Sequence, residues 1–193
     1  MLFRSSCGNF HGAPVAMVAD FLAIAVSELS AISERRTDRM LDRTRSYGLP
    51  PFLAPDAGVN SGMMIAHYTQ AAMAMDNQRL AVPASTQSLP TSAMQEDHVS
   101  NGWAAARKLR RSVDALRRVL AVEITCAAAA IDLRAPLQPA AGTGAAVQFL
   151  RQHVAGPGPD RWLSPELRTV ETLLHDGRLL DAVESVTGPL EVN

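Results

Sequence analysis

Val99, Trp103, Ala106, Val113, Leu116, Leu120, Ile124, Ala127 and Ile131 recur at helical spacing as one apolar stripe. A helix carrying it is about 35 residues long, on the order of 50 Å. Such a rod cannot bury its stripe against itself, so it demands partners of similar length. Its other face carries Arg107, Lys108, Arg110, Arg111, Arg117 and Arg118, which reads as a solvated basic face. Pro136 ends it.

The partners are present upstream. Pro14 suits a first helical turn, and Val15, Val18, Leu22, Ala25, Leu29 and Ile32 follow at three-four spacing. The prolines of Gly48–Pro55 break this helix. A second helix, capped by Asn60 or Ser61, has the stripe Ile65, Tyr68, Ala72 and Met75 and is apolar on nearly every face. That composition predicts burial on all sides, inside a bundle or an oligomer. Residues 76–94, with Pro83 and Pro90, are a polar connection. From Ala135 a Pro/Gly-rich linker leads to shorter helices at about 144–154, 164–175 (Ser164 capping, Pro165 in the first turn) and 177–186. No alternating strand pattern is present. The expected fold is all-α: a long-helix bundle over 13–135 and a small helical tail over 136–193. Its apolar faces need more cover than three helices supply, so the chain either oligomerises or belongs to a longer protein.

A net charge of −1 offers no electrostatic case for nucleic acid or an anionic membrane. No uninterrupted apolar run reaches spanning length, and the first residues lack the apolar core of a secretory signal. Cys7 and Cys126 stand alone, without disulfide or zinc spacing, and no metal site is indicated. The expected compartment is the cytoplasm.

Chemistry-bearing side chains gather in Thr91–Gly102, which reads Thr-Ser-Ala-Met-Gln-Glu-Asp-His-Val-Ser-Asn-Gly. Ser92 and Gln95 have capping-box spacing, which would put Glu96 and Asp97 in the first turn of the long helix, where the macrodipole favours acids. His98 has no partner at metal spacing, and His67 reads as a satisfied buried histidine. Two glycines bracket Asn9-Phe10-His11 in residues 8–12, the pattern of a tight loop that presents side chains.

These strings together resemble the histidine ammonia-lyases. The resemblance rests on Gly8-Asn9-Phe10-His11-Gly12, Ser33-Glu34-Arg35-Arg36, Leu49-Pro50-Pro51-Phe52-Leu53, Asn60-Ser61-Gly62-Met63-Met64, Gln95-Glu96-Asp97-His98-Val99-Ser100 and Ala130-Ile131-Asp132-Leu133-Arg134, in that order. The tail around Gly156-Pro157-Gly158-Pro159-Asp160-Arg161 is similar to actinobacterial members. The resemblance implies the C-terminal part of an aspartase/fumarase-like helical fold, a homotetramer with sites shared between subunits, and conversion of L-histidine to trans-urocanate and ammonia. It makes residues 1–12 an active-site loop. The family's electrophile is a methylidene-imidazolone made from Ala-Ser-Gly, a string this sequence lacks.

Residue by residue, the resemblance makes Glu96 the carboxylate that accepts the substrate imidazole N–H and handles its proton. Phe10 packs against the substrate, Met64 supplies an apolar side chain that favours histidine, and Gln95 gives polar support. Met94 and Ala13 depart from the residues many relatives carry. Two readings follow: the C-terminal part of a histidine ammonia-lyase, inactive alone without its electrophile, or a non-catalytic helical module that self-associates or complements an N-terminal chain.

Overall fold

A computed structural model describes residues 11–191. Its helices are α1 (Ala13–Leu41), α2 (Met64–Leu80), α3 (Gly102–Asp132), α4 (Ala141–Arg151), α5 (Ser164–His175) and α6 (Arg178–Thr187). No strand occurs among the described residues. The all-α expectation holds.

Antiparallel α2 packs against both α1 and α3, which run parallel and also pack directly on each other, as cross-helix pairs show. Asn77 donates to Ser30 Oγ at 2.8 Å, Gln70 to the Val119 carbonyl at 3.0 Å, and Arg36 meets Glu123 at 3.4 Å. The residues buried between the helices recur every seven positions, the spacing of a knobs-into-holes seam. On α1 they are Ala16, Ala23, Ser30 and Thr37; on α3, Ala105, Ser112, Val119 and Cys126. Met63, Gln70 and Asn77 supply the α2 row. Small and polar side chains dominate, so the backbones approach closely and hydrogen bonds, rather than bulk, set the register.

The predicted stripes of α1 and α2 lie on the opposite side. Each of Val15, Val18, Leu22, Ala25, Leu29 and Ile32 is exposed on α1, Val15 at 68%, and so is every member of the α2 stripe from Ile65 to Met75. On α3, Trp103 and Val113 are exposed and Leu116 to Ile131 are half-buried. The expected burial of α2 on all sides is therefore not met within the chain. Apolarity marks a face to be kept from water but does not say which neighbour covers it.

No uninterrupted apolar run of spanning length occurs in α1, since Asp20 and Glu28 interrupt it. By length and composition alone, α1 is still apolar enough to cross a membrane. Buried Asp20 on that helix is paired with Lys108 of α3 at 2.5 Å, which ties α1 into the bundle.

Helix ends follow local chemistry. α1 stops at Leu41, before the predicted break, because the Asp42 carboxylate accepts the Thr44 N–H at 2.8 Å and hydroxyl at 2.7 Å. Such a local bond competes with the helical pattern. These bonds, then Arg45, pull the Asp42 carboxyl down to about 2. Asn60, Ser61 and Ser164 do not act as side-chain caps of their helices. Residues 141–144 belong to α4 rather than a linker, and Gly142 lets α4 approach α6: a Cβ there would meet Thr187 Cγ2 at 2.9 Å. The tail shares core with the bundle, since Leu150, Val170 and Leu173 pack with Ala121 and Ala128 of α3.

Candidate functional site

Glu96 and Gln95 sit on a loop, not on a helix. α3 begins at Gly102 with Asn101 in a left-handed conformation, so the predicted capping box at Ser92–Gln95 and the first-turn position of Glu96 are both overturned. The loop is closed by its own backbone: Thr91 N–H donates to the Glu96 carbonyl at 2.9 Å, and Glu96 N–H returns to the Thr91 carbonyl at 3.2 Å. Between them Ser92, Ala93 and Met94 all have positive φ, at 53°, 52° and 70°. Three such residues in succession cost roughly 1–3 kcal/mol each and persist only where surrounding contacts over-determine them. The sequence signal for this turn was weak, because none of the three is glycine or asparagine.

The base of the loop is tied down. Val99 N–H donates to Ser88 Oγ at 2.8 Å, and the Asn101 amide donates to the Gln87 carbonyl. His98 packs its ring on His11 with centroids 5.2 Å apart, which supports a structural role for His98. A Cβ on Gly12 would come to 3.8 Å from Ser100 Oγ. The loop therefore seats against the N-terminal end of α1, with Gln95 and Glu96 exposed. Phe10 lies outside the described residues.

Met64 is half-buried at the other end of the bundle. It opens α2 where Met63 joins the cluster of Leu41, Leu49, Leu53 and Cys126. One turn on, His67 Nε2 lies 2.6 Å from Glu34 Oε1, and Arg35 grips the same carboxylate at 2.5 Å. Burial raises the Glu34 pKa, but Arg35 and His67 outweigh it and hold the group below the usual carboxylate range. His67 is thus a satisfied, half-buried histidine, as expected. From Gly12 to Thr37, α1 separates the Glu96 loop from Met64 by about 35 Å of helix. One copy of the chain does not bring Glu96 and Met64 together.

No grouping of three or more metal-ligating side chains exists among the described residues. Cys126 is fully buried; burial, then Glu123, pushes its thiol up to about 12, so it offers no nucleophile. The basic face of α3 is only partly solvated. Lys108 is largely buried against Asp20, and Arg118 meets Glu171 of α5 at 3.1 Å. Sequence reasoning missed the Asp20–Lys108 pair because the partners are 88 positions apart and lie on different helices.

Comparison with known proteins settles the lineage: the aromatic amino acid lyase profile matches residues 4–152. The chain belongs to the aromatic amino acid lyase family. It is 62% identical over 188 residues to histidine ammonia-lyase of Streptomyces griseus, covering 96% of this chain and 37% of that protein. It matches the crystal structure of histidine ammonia-lyase from Trypanosoma cruzi with a TM-score of 0.89 and 38% identity, over 97% of this chain and 39% of that one. Tyrosine aminomutase from Streptomyces globisporus is also similar, with a TM-score of 0.89 and 35% identity over 98% of this chain and 37% of the other. The chain thus corresponds to a C-terminal portion of a histidine ammonia-lyase, just over a third of such an enzyme's length. Lyases and aminomutases share this backbone, so the fold alone does not choose between them.

Proposed function

We propose that the chain is the part of a histidine ammonia-lyase that carries Glu96 and Met64 to the substrate site, for conversion of L-histidine to trans-urocanate and ammonia. The supporting observation is 62% identity to a histidine ammonia-lyase over almost the whole chain. Glu96 accepts the imidazole N–H of the substrate and handles its proton; Gln95 supports it on the same exposed loop. Met64 and Phe10 shape the site around the ring, apolar surfaces that leave the carboxylate as its polar partner. Because Met64 lies about 35 Å of helix from Glu96, a site containing both draws them from different copies of the chain, consistent with a homotetramer whose sites are shared.

The family's electrophile captures the substrate amine and makes it a leaving group. It forms from Ala-Ser-Gly, which these 193 residues do not contain, so the chain by itself gives no urocanate. A second reading, a helical assembly module without catalysis of its own, is favoured by the exposed apolar face of α1, where Phe21 is 71% exposed. One experiment separates them. Residues 1–193 are joined to the N-terminal portion of the Streptomyces griseus enzyme and assayed with L-histidine, alongside the chain alone. Urocanate from the joined protein and none from the chain supports the lyase reading. A correctly assembled but inactive joined protein leaves only the assembly reading, and urocanate from the chain alone overturns the requirement for the electrophile.

A further inference from the structure

We infer that Asp160, in the tail beyond the family profile's last matched residue at 152, is a positioning residue for Met64. This rests on the reading of Met64 as part of the substrate site. The Asp160 carboxylate accepts the Ser61 N–H at 2.7 Å and the Gly62 N–H at 2.8 Å. In return, Asp160 N–H donates to Asn60 Oδ1 at 2.9 Å. Two segments 100 positions apart in sequence are thus bonded in both directions, over the turn that delivers Met64 to α2.

The same turn is held from its other side. Met63 N–H donates to the Phe52 carbonyl at 2.9 Å, and Met64 N–H donates to the Ser61 carbonyl at 3.2 Å. Gly62 sits at φ +56°, and a Cβ there would meet Phe52 O at 2.5 Å, so the backbone has little room to shift toward Phe52. Since α2 has no side-chain cap of its own, Asp160 takes up amides at its approach that would otherwise lack a partner.

Asp160 is itself braced. Arg161 binds Glu166 at 2.6 Å and the Ala155 carbonyl at 3.2 Å, while Arg151 binds Asp132 of α3 at 2.7 Å and the Ala155 carbonyl at 3.1 Å. The tail is therefore a strap from α3 to the Met64 turn. It sets where the Met64 side chain stands, and with it the fit of the substrate ring.

The test uses Asp160→Ala, with Asp160→Asn as the milder variant that keeps one acceptor oxygen. In the joined lyase labelled at its methionine methyls, Asp160→Ala should shift the Met64 resonance and speed amide exchange at Ser61 and Gly62, leaving Met94 unmoved. Asp160→Asn should give an intermediate result. In the joined lyase, Asp160→Ala should raise KM for L-histidine about tenfold, with kcat within about threefold, and narrow the preference for L-histidine over L-phenylalanine. An unmoved Met64 methyl, or unchanged KM and selectivity at a lowered Tm, would reduce Asp160 to a helix cap. If the parent joined protein is inactive, the lyase reading fails, and the methyl and exchange data alone still decide whether Asp160 holds Met64.

Discussion

Glu96 lies six residues ahead of α3, on an exposed loop, so the helix dipole gives it no stabilising role. Glu96→Gln should therefore leave Tm of the joined lyase unchanged to within the equivalent of about 0.5 kcal/mol. Removing charge and basicity at constant size should still lower turnover by on the order of 10²–10⁴. Measuring both in one preparation checks this, and a full rate with a lowered Tm would return Glu96 to structure. Cys126 gives a contrasting residue-level outcome. With its thiol pushed up to about 12 and no exposure, it should react with a thiol reagent at pH 8 only as the chain unfolds. A Cys7→Ser variant isolates the measurement. Labelling that is fast in buffer and insensitive to urea would contradict the burial.

At the scale of elements, the ion pair between α1 and α3 organises the connection that leads to Glu96. Asp20 meets Lys108 at 2.5 Å and accepts the Ser85 N–H at 2.7 Å, while Lys108 also donates to the Val82 carbonyl. Burial alone would raise the Asp20 pKa, but Lys108 and the Ser85 N–H outweigh it and hold the carboxyl below its ordinary value of 3.8. A depressed carboxylate stabilises the fold fully above its unfolded pKa, and that contribution disappears as pH falls through the lower, folded value. Stability should therefore drop below about pH 4, and Asp20→Asn should flatten that limb of the profile. Lys108→Met, which strands the carboxylate, should cost about 3–5 kcal/mol in denaturant unfolding at neutral pH. A cost under about 1 kcal/mol would mean that water reaches the pair.

For the whole molecule, the dominant fact is a bundle seam rich in small and polar side chains beneath the exposed apolar faces of α1 and α2. Ser30, Ser33, Gln70, Asn77 and Ser112 are buried while Phe21, Leu29, Ile65 and Met75 are exposed. A contiguous apolar surface of this kind drives association. The isolated chain should sediment as an oligomer or aggregate, and Phe21→Lys with Leu29→Lys should shift it toward monomer while helical circular dichroism is retained. A parent chain that is a cooperative monomer would show that these faces tolerate water. The polar seam is expected to survive the paired substitution, since Asn77 and Gln70 bond inward to Ser30, Ser112, Ser33 and Val119.

The sequence by itself determined the helices and their order, because helical periodicity and proline placement are local properties of the chain. Even α5 and its Pro165 were legible to the residue. It also carried the lineage, through short strings such as Gln95–Ser100. Only the tertiary structure decided which helix face is inside. Small residues at seven-residue spacing carry almost no hydropathy signal, whereas the large apolar stripes of α1 and α2, which do carry one, face outward. It likewise moved Glu96 from a helical turn to a closed loop, since three positive-φ residues without glycine leave no pattern to read. The clamp at Asp20 and the Asp160 strap join residues 65 to 100 positions apart, and such pairings, like the separation of Glu96 from Met64, exist only once the chain has packed.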